Sequence, residues 1–125
     1  IERARKFCKT AGLTLLINET FDIPGILVIA GVDDLTANRF GHYGKLPEKQ
    51  LLSKWPTDRF VVVLKHRPLL DEASKGLFDL QLSGHTHRGQ IFPFTLLIKM
   101  LYPIDAGLLE LATCGFLYVN PGYGT

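Results

Sequence analysis

The chain has 125 residues, with fourteen Lys and Arg against twelve Asp and Glu for a formal charge of +2. Hydrophobic residues make up 46% and charged residues 21%, a balance that supports one packed core and excludes a disordered or fibrous chain. The positive surplus is too small for the long-range field of a nucleic-acid binder, so no nucleic-acid surface is expected.

Ile1, Ala4, Cys8 and Ala11 recur at spacings of three and four before Gly12, which predicts a short amphipathic helix at the start. The apolar runs 13–17 and 26–32, separated by Asp22, Pro24 and Gly25, read as two strands joined by a turn. Residues 38–45, with Gly41 and Gly44, read as a loop that holds His42. Pro47 and Glu48 suit a first helical turn, Leu51 and Leu52 give that helix an apolar side, and Trp55-Pro56 ends it.

Residues 60–64 are five apolar residues with three Val, the pattern of a strand covered on both faces. His66-Arg67-Pro68 closes this strand, 69–78 reads as a short helix, and 80–82 as a strand leading to Ser83-Gly84-His85-Thr86-His87. Strand, helix and strand imply a parallel pair with a crossover, and ligands of such sheets lie outside the carboxyl ends of the strands. A further short helix is expected over 94–102, and a closing hairpin from 107–113 and 116–119 around Cys114-Gly115. Cys8 and Cys114 match no metal-binding spacing and read as small core residues. There is no stretch of 18 uninterrupted apolar residues and no initiator Met, and the chain is expected to be an excised piece of a longer protein.

His85 and His87, two apart between Gly84 and Gly89, can converge on one ion or on two adjacent ions, and imidazole nitrogen suits Zn, Mn, Fe or Ni. His66 follows the preceding buried strand, which brings three of the four histidines to one expected sheet edge. The HxHxDH pattern of metallo-β-lactamases fails because position 89 is Gly. The HxH of amidohydrolases belongs on a first barrel strand, which this is not.

Leu82-Ser83-Gly84-His85-Thr86-His87, with Gly89-Gln90-Ile91 and Pro93-Phe94 after it, resembles the GHxH block of the calcineurin-like metallophosphoesterases. The likeness is greatest to the bacterial subgroup described as membrane-associated phosphodiesterases. Val63-Leu64-Lys65-His66-Arg67-Pro68 is similar to that family's single-histidine block, Tyr118-Val119-Asn120-Pro121-Gly122 to its closing segment, and Gly31-Val32-Asp33-Asp34 to a recurrent internal one. The resemblance spans the chain in order and implies an α/β fold. More narrowly, it implies the C-terminal half of a four-layer α/β/β/α sandwich, with residues 1–125 as a single unit holding a mixed sheet and flanking helices.

It further implies two divalent metal ions, with His66 and His85 on one and His87 on the other, and attack on phosphorus by metal-bound hydroxide. The family draws its other ligands and its histidine general acid from DxH, GDxxD and GNH[D/E] blocks. None of these occurs in this sequence, so the catalytic residue is unassigned and the missing N-terminal half of the domain is the expected partner. Arg88 and Asn120 are candidate contacts for a phosphoester substrate, while Asp33 and Asp34 could support the metal site or cap a turn.

The resemblance implies phosphodiesterase or phosphatase activity for a parent protein that is membrane-associated in bacteria, with UDP-2,3-diacylglucosamine as one candidate substrate. The fragment alone is expected to be inactive and to associate with itself. The alternative is a noncatalytic binding or assembly module that keeps the fold.

Overall fold

The computed structural model describes residues 2–34, 47–86, 100–112 and 115–122. The predicted first helix is present as α1 (Glu2–Thr10). Its amphipathic spacing finds no core to fill, for α1 has no buried residue and Cys8 is only half-buried.

The chain then enters a hairpin of β1 (Glu19–Ile23) and β2 (Leu27–Val32), paired antiparallel from Glu19↔Gly31 to Ile23↔Leu27. Pro24-Gly25 makes the turn. Gly25 takes φ +73° and the Ile26 N–H donates to the Ile23 carbonyl at 3.0 Å, an arrangement that wants Pro and then Gly at the two central positions. The strand expected over 13–17 is therefore displaced to 19–23. A tight turn selects the residues directly before it as the partner strand, even though Thr20 and Asp22 are polar. The apolar run 13–17 instead crosses over β2, where Leu16 sits so close that a methyl group on Gly31 would lie 2.5 Å from its Cβ.

The helix predicted after Pro47 is α2 (Glu48–Leu52), which buries Leu51 and Leu52. The strongest strand signal is β3 (Val61–Lys65), parallel to β2 from Val28↔Val61 to Val32↔Lys65. The helix expected over 69–78 is reduced to a single 3-10 turn, Glu72–Ser74. The Asp71 carboxylate accepts from the Ala73 N–H at 3.0 Å and the Ser74 hydroxyl at 3.3 Å, a local bonding pattern that competes with helix propagation.

Strand β4 (Leu80–Ser83) runs parallel to β3, and β6 (Phe116–Val119) parallel to β4. Strand β5 (Gly107–Glu110) closes the sheet antiparallel to β6. The strand order is β1-β2-β3-β4-β6-β5, a mixed six-stranded sheet of an α/β fold. Because the four inner strands are parallel, they end at one common edge.

Alternation along the strands sorts the residues into two faces. Val28, Ala30, Val61 and Val63 pack with Leu51, Leu52 and Phe78 in the core cluster, under α2 and the segment around the 3-10 turn. Gln81, Leu117 and Val119 continue this covered face, each fully buried. The opposite face carries Phe21, Leu64, Phe116, Tyr118 and Leu108, all of them exposed. Strand β3 is thus not covered on both faces along its whole length as its sequence predicts, since Val62 is buried but Leu64 is 40% exposed.

Candidate metal centre

Two parallel strands deliver two histidines to the same edge. His66 follows Lys65, the last residue of β3, and His85 lies two residues beyond β4. Between them the backbones are joined, with the Gly84 N–H donating to the His66 carbonyl at 3.0 Å.

His85 takes φ +75°, a left-handed conformation that non-glycine residues adopt at a cost and that concentrates at functional sites. Its Nδ1 lies 2.9 Å from Nε2 of His66, with the rings edge to face at 76° and 4.7 Å between centroids. Both rings are exposed. The next residue, Thr86, is 1% exposed and donates from Oγ1 to the Asp105 carbonyl at 2.6 Å. That bond ties the 100–106 segment to the histidine loop. From that segment Tyr102 sets its ring edge to face against His85, 6.2 Å between centroids.

Buried polar residues brace the two strand exits from the covered side. Gln81 Nε2 donates to the Ser83 hydroxyl at 2.9 Å, and the Ser83 hydroxyl donates to the Arg67 carbonyl at 3.4 Å. Lys65 pairs with Glu48 of α2 at 2.7 Å. Asp34 receives both Nε and Nη2 of Arg67, at 2.8 and 2.7 Å.

Two imidazole nitrogens 2.9 Å apart suit a shared ion. With metal–nitrogen bonds of about 2.1 Å, neighbouring ligands stand about 3.0 Å apart on an octahedral ion and about 3.4 Å apart on a tetrahedral one. The same contact is within hydrogen-bond distance, with the donor set by the tautomers of the two rings. The pair fits part of a metal site only, since no group of three such ligands occurs among the described residues.

Of the residues singled out from the sequence, His66 and His85 come together, and Asn120 stands at the same edge beyond β6. The Asn120 N–H donates to the Ser83 carbonyl at 2.9 Å, and its Oδ1 accepts from the Gly122 N–H at 2.9 Å. His87, Arg88, His42, Cys114, the 38–45 loop and most of the helix expected over 94–102 lie outside the described residues. Just beyond β2, Asp33 Oδ1 accepts from the Asp34 N–H at 2.9 Å. Asp34 is a candidate from the sequence, but its pairing with Arg67 and the place of Tyr102 are not legible there, because partners 33 residues apart carry no periodic signal.

Comparison with known proteins gives relatives of one kind. An uncharacterized metallophosphoesterase of Aquifex aeolicus is 35% identical over 127 residues, covering 100% of this chain and 48% of its own length. An uncharacterized metallophosphoesterase of Campylobacter jejuni is 38% identical, covering 93% of this chain and 31% of its own length. A transmembrane protein with metallophosphoesterase domain from Bos taurus is 41% identical over 103 residues, covering 77% of this chain and 22% of its own length. The chain thus spans about half the length of the first of these and less of the others. No family model and no solved structure matches it. None of these names specifies a substrate, and UDP-2,3-diacylglucosamine finds no support in them.

Proposed function

This chain belongs to the calcineurin-like metallophosphoesterase family, and from that premise we propose that it contributes His66, His85 and His87 to the dinuclear metal centre of a phosphoester hydrolase. The observation that carries this reading is the meeting of the His66 and His85 nitrogens at 2.9 Å, beyond adjacent parallel strands. Divalent ions of the kind imidazole accepts, Mn, Zn, Fe or Ni, would supply charge for the phosphoryl oxygens and activation of water.

The residues of this chain hold and orient. His66 and His85 would hold one ion and His87 the other, and the exposure of the first two leaves room for an incoming phosphodiester or phosphomonoester. Asn120 spends its side-chain oxygen on the Gly122 N–H, so its amide N–H groups are the donors it offers to a phosphate oxygen. Arg88, next to His87, offers a bidentate donor to the same group.

The remaining ligands and the general acid come, in this proposal, from the rest of the polypeptide, which completes a four-layer sandwich by packing a second sheet on the exposed face. Support comes from the exposed side chains of that face, Phe21 at 48%, Phe116 and Tyr118 at 41% each, and from relatives at least twice as long as this chain. Membrane association of the intact protein is part of the proposal, on the name of the bovine relative. No helix among the described residues is long and apolar enough to cross a membrane.

Turnover of a chromogenic nitrophenyl phosphodiester by the intact protein, with Mn added, tests the reading. His66→Ala and His85→Ala are each expected to lose most of the activity and bound metal, and the isolated 125 residues to stay near background. Wild-type rate and metal content in both variants would overturn the proposal. A folded intact protein that binds its partner or ligand but never turns over would favour the noncatalytic alternative.

A further inference from the structure

Resting on the metal-site reading, we propose that Arg67 and Asp34 are a positioning pair for His66, fastening the backbone beside this ligand to the exit of β2. The residues on either side of His66 are both anchored by ion pairs. Lys65 reaches Glu48 at 2.7 Å, with side chains 11% and 5% exposed. Arg67 meets Asp34 through two parallel bonds at 2.8 and 2.7 Å, with side chains 22% and 18% exposed.

A forked contact of this kind fixes orientation as well as distance, which a single-point ammonium contact does not. The Arg67 backbone is held as well, its carbonyl accepting from the Ser83 hydroxyl at 3.4 Å and from the Leu69 N–H at 2.8 Å.

The other half of the pair is equally fixed. The Asp34 N–H donates to Asp33 Oδ1 at 2.9 Å, and the Asp33 N–H donates to Asn18 Oδ1 at 3.1 Å. Asn18 itself adopts φ +52° before β1. A continuous line of bonds therefore runs from the entry of the hairpin through Asp33, Asp34 and Arg67 to the residue beside His66. The carboxylate also cancels the guanidinium charge, which would otherwise oppose a cation at the neighbouring imidazoles.

Groups that orient metal ligands without touching the ion are worth roughly 10- to 100-fold in metal affinity. In the intact protein, Asp34→Asn is expected to weaken Mn binding by about tenfold or more, and Arg67→Lys, which keeps the charge but not the fork, by less. Affinity is read by calorimetry with Mn and by the visible absorption of a Co-loaded sample, whose band shape reports the geometry around the ion. Thermal unfolding of the metal-free protein is measured alongside.

Support is a loss of affinity and a changed Co spectrum with the metal-free transition near wild type. Wild-type affinity in both variants, while His66→Ala loses it, would overturn the positioning role and leave the metal site standing. Absence of Mn and Co binding by the wild-type protein would overturn the metal site and this inference together. Loss of the metal-free fold in both variants would make the pair a folding element and reject the inference.

Discussion

The two faces of the sheet are made from alternate residues of the same strands, yet they stand in different surroundings. On the covered face Val28, Ala30, Val63, Leu117 and Val119 are each 0% exposed. On the other, Phe21, Leu64, Leu108, Phe116 and Tyr118 range from 40% to 61% exposed, with Leu16 crossing at Gly31. The accessible surface of 8628 Å² exceeds the roughly 6,700 Å² that area scaling assigns to a compact monomer of this mass. Apolar side chains on a face left this open are the observation on which a covering second layer is proposed.

The sharpest way to break the comparison is to place one charge on each face at adjacent residues of β3. Val63→Asp buries a carboxylate with no partner, at a cost of several kcal/mol that rivals the whole stability of a small domain, and the thermal transition should vanish. Leu64→Asp should leave the 125-residue chain folded by circular dichroism, while abolishing assembly of the intact protein.

Next in size is the ion pair at the covered end of β3. Glu48→Ala strands Lys65, whose side chain is 11% exposed, and should cost about 3–5 kcal/mol in chemical denaturation. The double change Glu48→Leu with Lys65→Met should recover most of that loss, because two apolar groups replace two desolvated charges.

Gly31→Ala probes a corner where the open face is occupied. A methyl group there meets the Leu16 Cβ and carbonyl oxygen at 2.5 Å, so the crossing segment must move, at about 1–3 kcal/mol. The smallest stability effect is expected for Leu64→Ser and Phe116→Ser, each within about 1 kcal/mol on its own. Their readout is association. Sedimentation at micromolar concentration should show the 125-residue chain self-associating and the double variant shifted to monomer, since exposed apolar patches and open strand edges seek partners. A wild-type 14.0 kDa monomer would count against the open-face argument.

Much of the architecture was legible wherever local chemistry and burial agree. The Val-rich run of β3, the Pro-led α2, the 107–119 hairpin and the two histidines at strand ends all follow from composition and spacing. The reading failed where two local signals compete. Residues 13–17 are more apolar than 19–23, but the Pro24-Gly25 turn selects the latter as the strand that pairs with β2. Residues 69–78 hold apolar residues at helical spacing, but Asp71 turns the backbone locally and leaves only Glu72–Ser74 helical.

By itself the sequence determined the strands that flank the site and the placing of two histidines at their ends, because turn residues and apolar runs act over a few positions of chain. The 2.9 Å meeting of His66 with His85 and the grip of Arg67 on Asp34 were decided by tertiary structure alone. Both depend on the parallel pairing that sets β2, β3 and β4 side by side, and residues 19 or 33 apart in the chain meet only when such a register brings their strand ends together.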